Sequence, residues 1–381
     1  MGRLQQGLRH LLPPRPHARP LRIRRRRLGV GRAARSRSHG LLRQVTRAAD
    51  ILKLTPAGLY CEAGDFYVDP LRKVPRAVIT HGHSDHARAG HEAVLATKET
   101  LAVMAARYGE KFAGTRQALH FGETIALASA QVTLKPAGHV IGSAQVVIEV
   151  AGKRVVVSGD YKRARDPTCP PFEPMPCDIF ITEATFGLPL FRHPPAADEA
   201  AKLLHALQLF PDRPHTIGAY SLGKAQRLIA LFREAGHHAP IYVDAPTSKL
   251  CAVYVAHGVP LGDIRLLAST PAADLNGAIV VGMAELPEGT NDPVTAYASG
   301  WMRTRKRARA ANVDMPLIVS DHADWDELTQ TIEEVAPGEL WITHGEEAAL
   351  LHWARTKGIR ARPLSIAGYG DEEDPEAAPS A

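Results

Sequence analysis

The stretch RAVITHGHSDH, residues 76–86, decides how the rest of the chain is read. Its first five residues are a short β-branched run that reads as a strand. The polar cluster that follows stands at the strand's carboxyl end, where α/β sheets commonly carry sites. His81, His83, Asp85 and His86 put three imidazoles and one carboxylate within six residues. Such a group is no apolar core, because each buried polar group left unpaired is costly. An exposed polar turn is the plain alternative. A metal centre is the reading favoured here, and imidazole with carboxylate suits zinc, manganese or iron. The cluster contains no thiolate, which argues against a structural zinc knot.

One string cannot fill two metal shells, so further ligands are sought at other strand ends. His139 (PAGHVIGSAQ), Asp160 (VVVSGD) and His344 (LWITHGE) each close an apolar run just before a glycine or a turn. Singly, a histidine in that position is more often structural. Three such residues beside HxHxDH reverse that expectation. Asp69 (FYVDP) is the candidate acceptor that would orient a ligand histidine from behind.

The runs around these residues predict strands at 66–69, 76–80 and 93–97, then a longer extended run from Thr124 to His139. QVVIEV and RVVV flank Ala151-Gly152-Lys153 as a hairpin, and DIFITEA (178–184) reads as a buried strand. After Pro195 strands and helices alternate: helices near 198–210, 224–235 and 247–257, strands at TIGAY, IYVDA and AIVVG. That rhythm argues for βαβ units and a parallel sheet. From Pro316 the pattern returns to strands ending in polar residues, PLIVSDH and ELWITHG, separated by a helix at 325–335. The expected organisation is an arm at 1–44, a mostly β lobe at 45–195, an α/β insertion at 196–312, a return segment at 313–370 and an acidic tail at 371–381.

Length and composition agree with two lobes rather than one compact core: the chain has 381 residues, 45% of them hydrophobic and 23% charged. No stretch approaches the ~18 unbroken apolar residues of a membrane span. The net charge of +6 has a local source. Residues 1–44 hold thirteen arginines with no lysine and no acid, whereas residues 45–370 carry −2 and the last eleven residues five acids. The arm is expected to be disordered, either a nucleic-acid tether or translated leader from an early start codon. Four cysteines without a CxxC pair fit a reducing cytoplasm better than a disulfide framework.

Beyond the first cluster the chain resembles the metallo-β-lactamase superfamily, whose HxHxDH motif reads as His81-x-His83-x-Asp85-His86. Glu183 in TEATFG, the segment Ser221-Leu222-Gly223-Lys224-Ala225-Gln226, His322 in SDHAD and His344 in THGE resemble the later motifs of its β-CASP nuclease branch, in that family's order. The opening TPAGLYCEAGDFYVDP is similar to bacterial ligase-associated DNA damage response exonucleases, which are themselves similar to factors that process mRNA 3′ ends. The resemblance implies an αββα sandwich with an inserted β-CASP α/β domain. It implies a di-zinc nuclease, with manganese as the other ion, most simply a DNA exonuclease of DNA repair working beside a DNA ligase and a helicase. His344 keeps an RNA-processing nuclease as the alternative, and a small-ester or lactone hydrolase is the more distant one. Also by resemblance, His81, His83 and His139 would hold the first metal. Asp85, His86 and His344 would hold the second, and Asp160 would bridge them. His322 would give a proton to the leaving alkoxide, positioned by a hydrogen bond to Glu183.

Two softer features concern a polyanionic substrate. Ser221, Gly223 and Lys224 lie between a strand and a helix, either as an ordinary turn or as amides and an ammonium facing a phosphate. Arg303, Arg305, Lys306, Arg307 and Arg309 place five bases in seven residues next to Trp301. A solvated face is the usual meaning of such a run. Its place before His322 in a slightly acidic core favours phosphate contact.

Overall fold

A computed structural model describes residues 47–364. The expectations for the arginine-rich arm and the acidic tail therefore lie outside the described residues. Two sheets face each other around one apolar layer. The first has six strands in the order Leu52–Thr55, Gly58–Cys61, Phe66–Val68, Arg76–Val78, His91–Ala96 and Ala113–Ala118. The second has seven: Ala361–Pro363, Glu339–Gly345, Ile179–Ala184, Lys153–Val157, Ala144–Val150, Ala130–Pro136 and Thr124–Leu127. Leu59, Phe66 and Val78 of the first sheet pack with Val132, Val146, Ile148 and Ile181 of the second. Helix Lys98–Tyr108 covers the outer face of the first sheet, where its Met104 meets Ile79 and Val94. Helices Trp325–Val335 and Glu347–Thr356 cover the outer face of the second through Leu328, Ile332 and Leu350. The architecture is an αββα sandwich.

The central strands of the second sheet are apolar on both faces, as strands sandwiched between two layers must be. All six residues of Ile179–Ala184 are buried. The hairpin between Ala144–Val150 and Lys153–Val157 turns at Ala151 and Gly152, with φ of 51° and 76°. Two consecutive left-handed residues match the twist of an antiparallel pair. Thr124–His139, read as one extended run, is instead a second hairpin, Thr124–Leu127 against Ala130–Pro136, turned at Ala128, whose φ is 49°.

A third, six-stranded and wholly parallel sheet lies between Ile179–Ala184 and its parallel neighbour Glu339–Gly345 along the chain. Its order is Ile264–Leu266, Ile241–Val243, Ile279–Val281, His215–Gly218, Val294–Ala298 and Met315–Leu317. Helices Ala196–Leu209, Lys224–Glu234 and Ala245–Ala256 pack on it through Leu203, Leu228, Phe232 and Tyr254. The return from this unit comes later than the sequence places it. Met315–Leu317 pairs with Val294–Ala298 in the third sheet, so the return follows Leu317 rather than beginning at residue 313. His322 accordingly sits on the crossing segment, not on a strand of the sandwich.

Candidate metal centre and acid–base pair

Strand ends converge at one edge of the sandwich. Ala130–Pro136, Lys153–Val157, Ile179–Ala184 and Glu339–Gly345 run in the same direction through the second sheet, so His139, Asp160, Glu183 and His344 emerge or end on one side. Arg76–Val78 of the first sheet delivers His81, His83, Asp85 and His86 to that edge.

The donors then meet closely. Ligand atoms of His81, His83, His139 and Asp160 all lie within 4.8 Å of one another, as do those of Asp160, Glu183 and His322. Asp160 Oδ2 is the shared atom: it lies 3.5 Å from His81 Nε2, 3.4 Å from His86 Nε2 and 4.0 Å from His139 Nε2. Asp85 Oδ2 is 3.5 Å from His86 Nε2, and the His344 ring centres 5.2 Å from that of His86. All seven residues expected to be ligands thus gather around Asp160 and His86.

The rings are aimed from behind. Asp69 accepts hydrogen bonds from Thr80 N–H (2.8 Å) and Thr80 Oγ1 (2.6 Å), and its Oδ2 is 2.8 Å from His86 Nδ1. Thr80 Oγ1 is 3.0 Å from His81 Nδ1. The outer nitrogens of His81 and His86 are therefore engaged, and their Nε2 atoms face Asp160. Asp69 and His344 hold their backbones at φ of 42° and 57°, a costly left-handed conformation for non-glycine residues that recurs where a site fixes its geometry.

The donor set fits a divalent cation. His81 Nε2 is buried and makes no hydrogen bond, although it points at a carboxylate. Burial pushes the pKa of His81 well down, helped by the neighbouring His86. Burial, with His322 and His83, does the same to His139. Burial takes His344 to about 4. Neutral imidazoles are the state that ligates metal. Burial would raise Asp160, but His86 and His81 outweigh it and hold its carboxylate ionised. Burial also opposes charge on His86, where Asp160 and Asp85 prevail and raise its pKa.

Next to these donors is a second constellation. His322 Nδ1 is 2.8 Å from Glu183 Oε2, and Glu183 Oε1 accepts the Tyr161 N–H at 2.7 Å. Burial raises the Glu183 carboxyl even against the opposing pull of His322. The His322 ring centres 4.7 Å from His139, so its far nitrogen borders the metal cluster. A cavity of about 270 Å³ opens on the other side of His322, walled by Lys162, His193, Arg227, Ser320 and Glu327.

The expected phosphate contacts divide. Lys224 is fully buried, with its ammonium 3.7 Å from Asp321 Oδ2 and over the Tyr220 ring, so it is no free cation for a phosphate. Gly223 N–H is likewise engaged, donating to Gln226 Oε1 at 2.9 Å, and Ser221 C=O accepts from Gln226 Nε2. Packing of this turn against the metal lobe removes Gly223 N–H and Lys224 from the phosphate-cradle reading, while Ser221 stays half-buried. Arg303 and Arg305, by contrast, are exposed. Arg307 lies 4.8 Å over Trp301, Trp301 packs 4.9 Å from Phe186, and Phe186 is 6.3 Å from His322. The basic run therefore stands one aromatic layer from the acid–base pair. Thr80, Lys162 and Arg227 complete the surroundings without a sequence signal, being single polar residues in apolar or helical runs.

A buried imidazole–carboxylate cluster at the strand ends of an αββα sandwich is the arrangement of a metal-dependent hydrolase. The sequence model of the metallo-β-lactamase superfamily matches residues 57–213, so the chain carries a metallo-β-lactamase domain. Its relatives agree with the β-CASP nuclease branch. It is 30% identical to the "Probable DNA ligase" of Opitutus terrae over 314 residues, 80% of this chain and 30% of that protein. It is 30% identical to "Endoribonuclease ysh1" of Aspergillus fumigatus over 148 residues, 36% of this chain and 17% of that one. "Cleavage and polyadenylation specificity factor subunit 3-I" of Arabidopsis thaliana is 29% identical over 160 residues, 39% and 22% of the two chains. The chain thus spans less than a third of the length of these curated relatives. A crystal structure of a protein of unknown function from Enterococcus faecalis V583 shares the fold. Its TM-score is 0.51 at 15% identity, over 77% of this chain and 80% of that one.

Proposed function

We propose that the chain is a nuclease that hydrolyses phosphodiesters with two divalent cations, zinc first and manganese as the substitute, and that it trims single-stranded DNA ends in repair. The observation that carries this reading is the juxtaposition of two unlike devices. Seven metal-type donor residues, Asp160 among them, gather at one edge of the sandwich, and the His322–Glu183 pair, 2.8 Å apart, borders them. His81, His83 and His139 would hold one ion, Asp85, His86 and His344 the other, with Asp160 between. Ions held by these residues would supply a lowered pKa for water and neutralisation of charge on the phosphoryl oxygens. Asp69 and Thr80 keep the ligand rings turned inward. His322 delivers a proton from its outward nitrogen to the leaving alkoxide, while Glu183 fixes the ring and stabilises its charged form. Arg303 and Arg305 would meet backbone phosphates beyond the aromatic layer of Trp301 and Phe186.

A small ester or lactone needs neither a proton donor this strong in its support nor a third sheet over the site, which sets that alternative behind. An RNA substrate is the reading next in line, favoured by His344 and by the endoribonuclease name of the Aspergillus relative. The relative named as a probable DNA ligase supports action beside a ligase. A helicase partner and a cytoplasmic location rest on the family resemblance and on four free cysteines. Digestion of matched end-labelled DNA and RNA, single- and double-stranded, with metal content measured on the same protein, tests the reading. Release of short products from single-stranded DNA supports it. RNA cut much faster than DNA would overturn the DNA assignment, and no phosphodiester cleavage at two bound ions would overturn the nuclease.

A further inference from the structure

Leu222, Gly223 and Lys224 of the turn before helix Lys224–Glu234 are buried, and the buried charge needs another explanation. Two main-chain oxygens stand behind two of the metal-type histidines. His83 and His139 approach each other through Nδ1 and Nε2, 2.9 Å apart, so those are the atoms they offer a metal. The opposite nitrogen of His83 lies 3.4 Å from Leu222 C=O, and that of His139 lies 2.8 Å from Asp321 C=O. Lys162 Nζ meets the carbonyl of His139 itself at 3.4 Å. Two of these oxygens belong to segments of the third-sheet unit, the turn before helix Lys224–Glu234 and the crossing after Met315–Leu317. Both therefore depend on where that unit sits.

A buried charge network fixes that seat. Asp321 pairs with Lys224 at 3.7 Å and with Arg227 Nη1 at 3.5 Å, and Arg227 also donates to Ser320 C=O. Arg227 Nε lies 3.5 Å from Asp166, which binds Lys162 at 2.6 Å. Every one of these side chains is at most 3% exposed. Gly223 closes the turn with φ of 88°, and a Cβ there would fall 2.4 Å from Val140 Cγ1, so the turn presses directly on the segment after His139. Burying five charges is expensive, and such networks are weak evidence for stability by themselves. What the network does accomplish geometrically is to hold two carbonyls against the outer nitrogens of two ligands of one metal.

We infer that Lys224, Arg227 and Asp321 are positioning residues: they lock the third-sheet unit so that Leu222 and Asp321 carbonyls set the tautomer and aim of His83 and His139. This rests on the metal-centre reading and is independent of the substrate. Partners behind ligating histidines are worth about 10–100-fold in metal affinity. Only one of two ions should feel the network, because His86 and His344 are oriented by Asp69 and the sandwich instead.

Zinc titration of the full chain against a competing chelator tests this in the parent, Asp321→Asn, Lys224→Met and the charge-matched double variant Lys224→Met/Asp321→Asn, with unfolding midpoints measured alongside. The expected result is that one of two binding steps weakens about 10–100-fold while the other holds. The double variant should regain unfolding midpoint but not the lost zinc affinity. Two unchanged steps, or affinity that tracks the midpoint across all variants, would overturn the inference and leave the metal centre standing. A parent chain that binds no zinc would overturn the metal centre itself.

Discussion

At the scale of single residues, His322 and Asp85 separate proton transfer from metal binding. His322 touches Glu183 and borders His139 without belonging to the set of His81, His83, His139 and Asp160. His322→Ala should therefore keep its metal while slowing turnover by ~10²–10⁴-fold. A substrate with a much better leaving group should regain part of that loss. Equal slowing on both substrates would make His322 a structural residue. Asp85→Ala should behave differently: fewer ions per chain by elemental analysis, loss of cleavage and an unchanged circular-dichroism spectrum. Full activity in that variant would remove Asp85 from the centre. Lys224 shows where residue type alone misleads. Its neighbours in sequence suit a phosphate, but its ammonium is buried against Asp321. A sequence marks charge and does not mark burial.

At the scale of elements, helix Lys224–Glu234 is anchored to the loop after Asp160 by Asp166, which holds Lys162 and faces Arg227. Burial would raise the Asp166 pKa, yet Lys162 and Arg227 bring it below its ordinary value. A carboxyl depressed in the folded state stabilises above its unfolded pKa, near 4, and that contribution is lost as pH falls through the folded value. Asp166→Asn should thus lower unfolding free energy by about 3–5 kcal/mol at pH 7, the usual cost of stranding buried cations. The gap to the parent should narrow below about pH 4. A gap that stays constant from pH 7 to pH 3 would mean the ion pair contributes nothing. The strands that frame the site were legible because their apolar runs end abruptly in His or Asp. Leu52–Thr55 and Ala113–Ala118 were not, since the latter is an exposed edge strand without alternation. Helix Lys98–Tyr108 carries only a weak apolar periodicity in the sequence, although Thr97 caps it through the Thr100 N–H. The Met315–Leu317 boundary was hidden for another reason: a strand run does not say which of two sheets it joins.

At the scale of the molecule, substrate form follows from depth and charge. His81, His83, His86, His139 and Asp160 are buried, His81 completely and Asp160 to within 6%, while Asp85 and His344 are half-buried. With Lys224 withdrawn into the interior, the run beside Trp301 still offers Arg303, Arg305, Lys306 and Arg309 as exposed cations. A duplex rod would need a broad basic track, whereas a single strand entering a recess needs a few phosphate contacts and an aromatic neighbour such as Trp301. Removing residues 1–44 takes away thirteen arginines and leaves this recess intact, so turnover on short oligonucleotides should hardly change. Binding to long nucleic acid should weaken and lose part of its salt dependence. Entry by an end has a sharper consequence. A covalently closed single-stranded DNA circle offers the same bases and phosphates as its linear form but has no terminus to insert. The linear strand should be degraded and the circle should persist under identical conditions, with one nick in the circle restoring degradation. Circles consumed as fast as linear strands would show internal cutting, with the strand crossing the recess instead of ending in it.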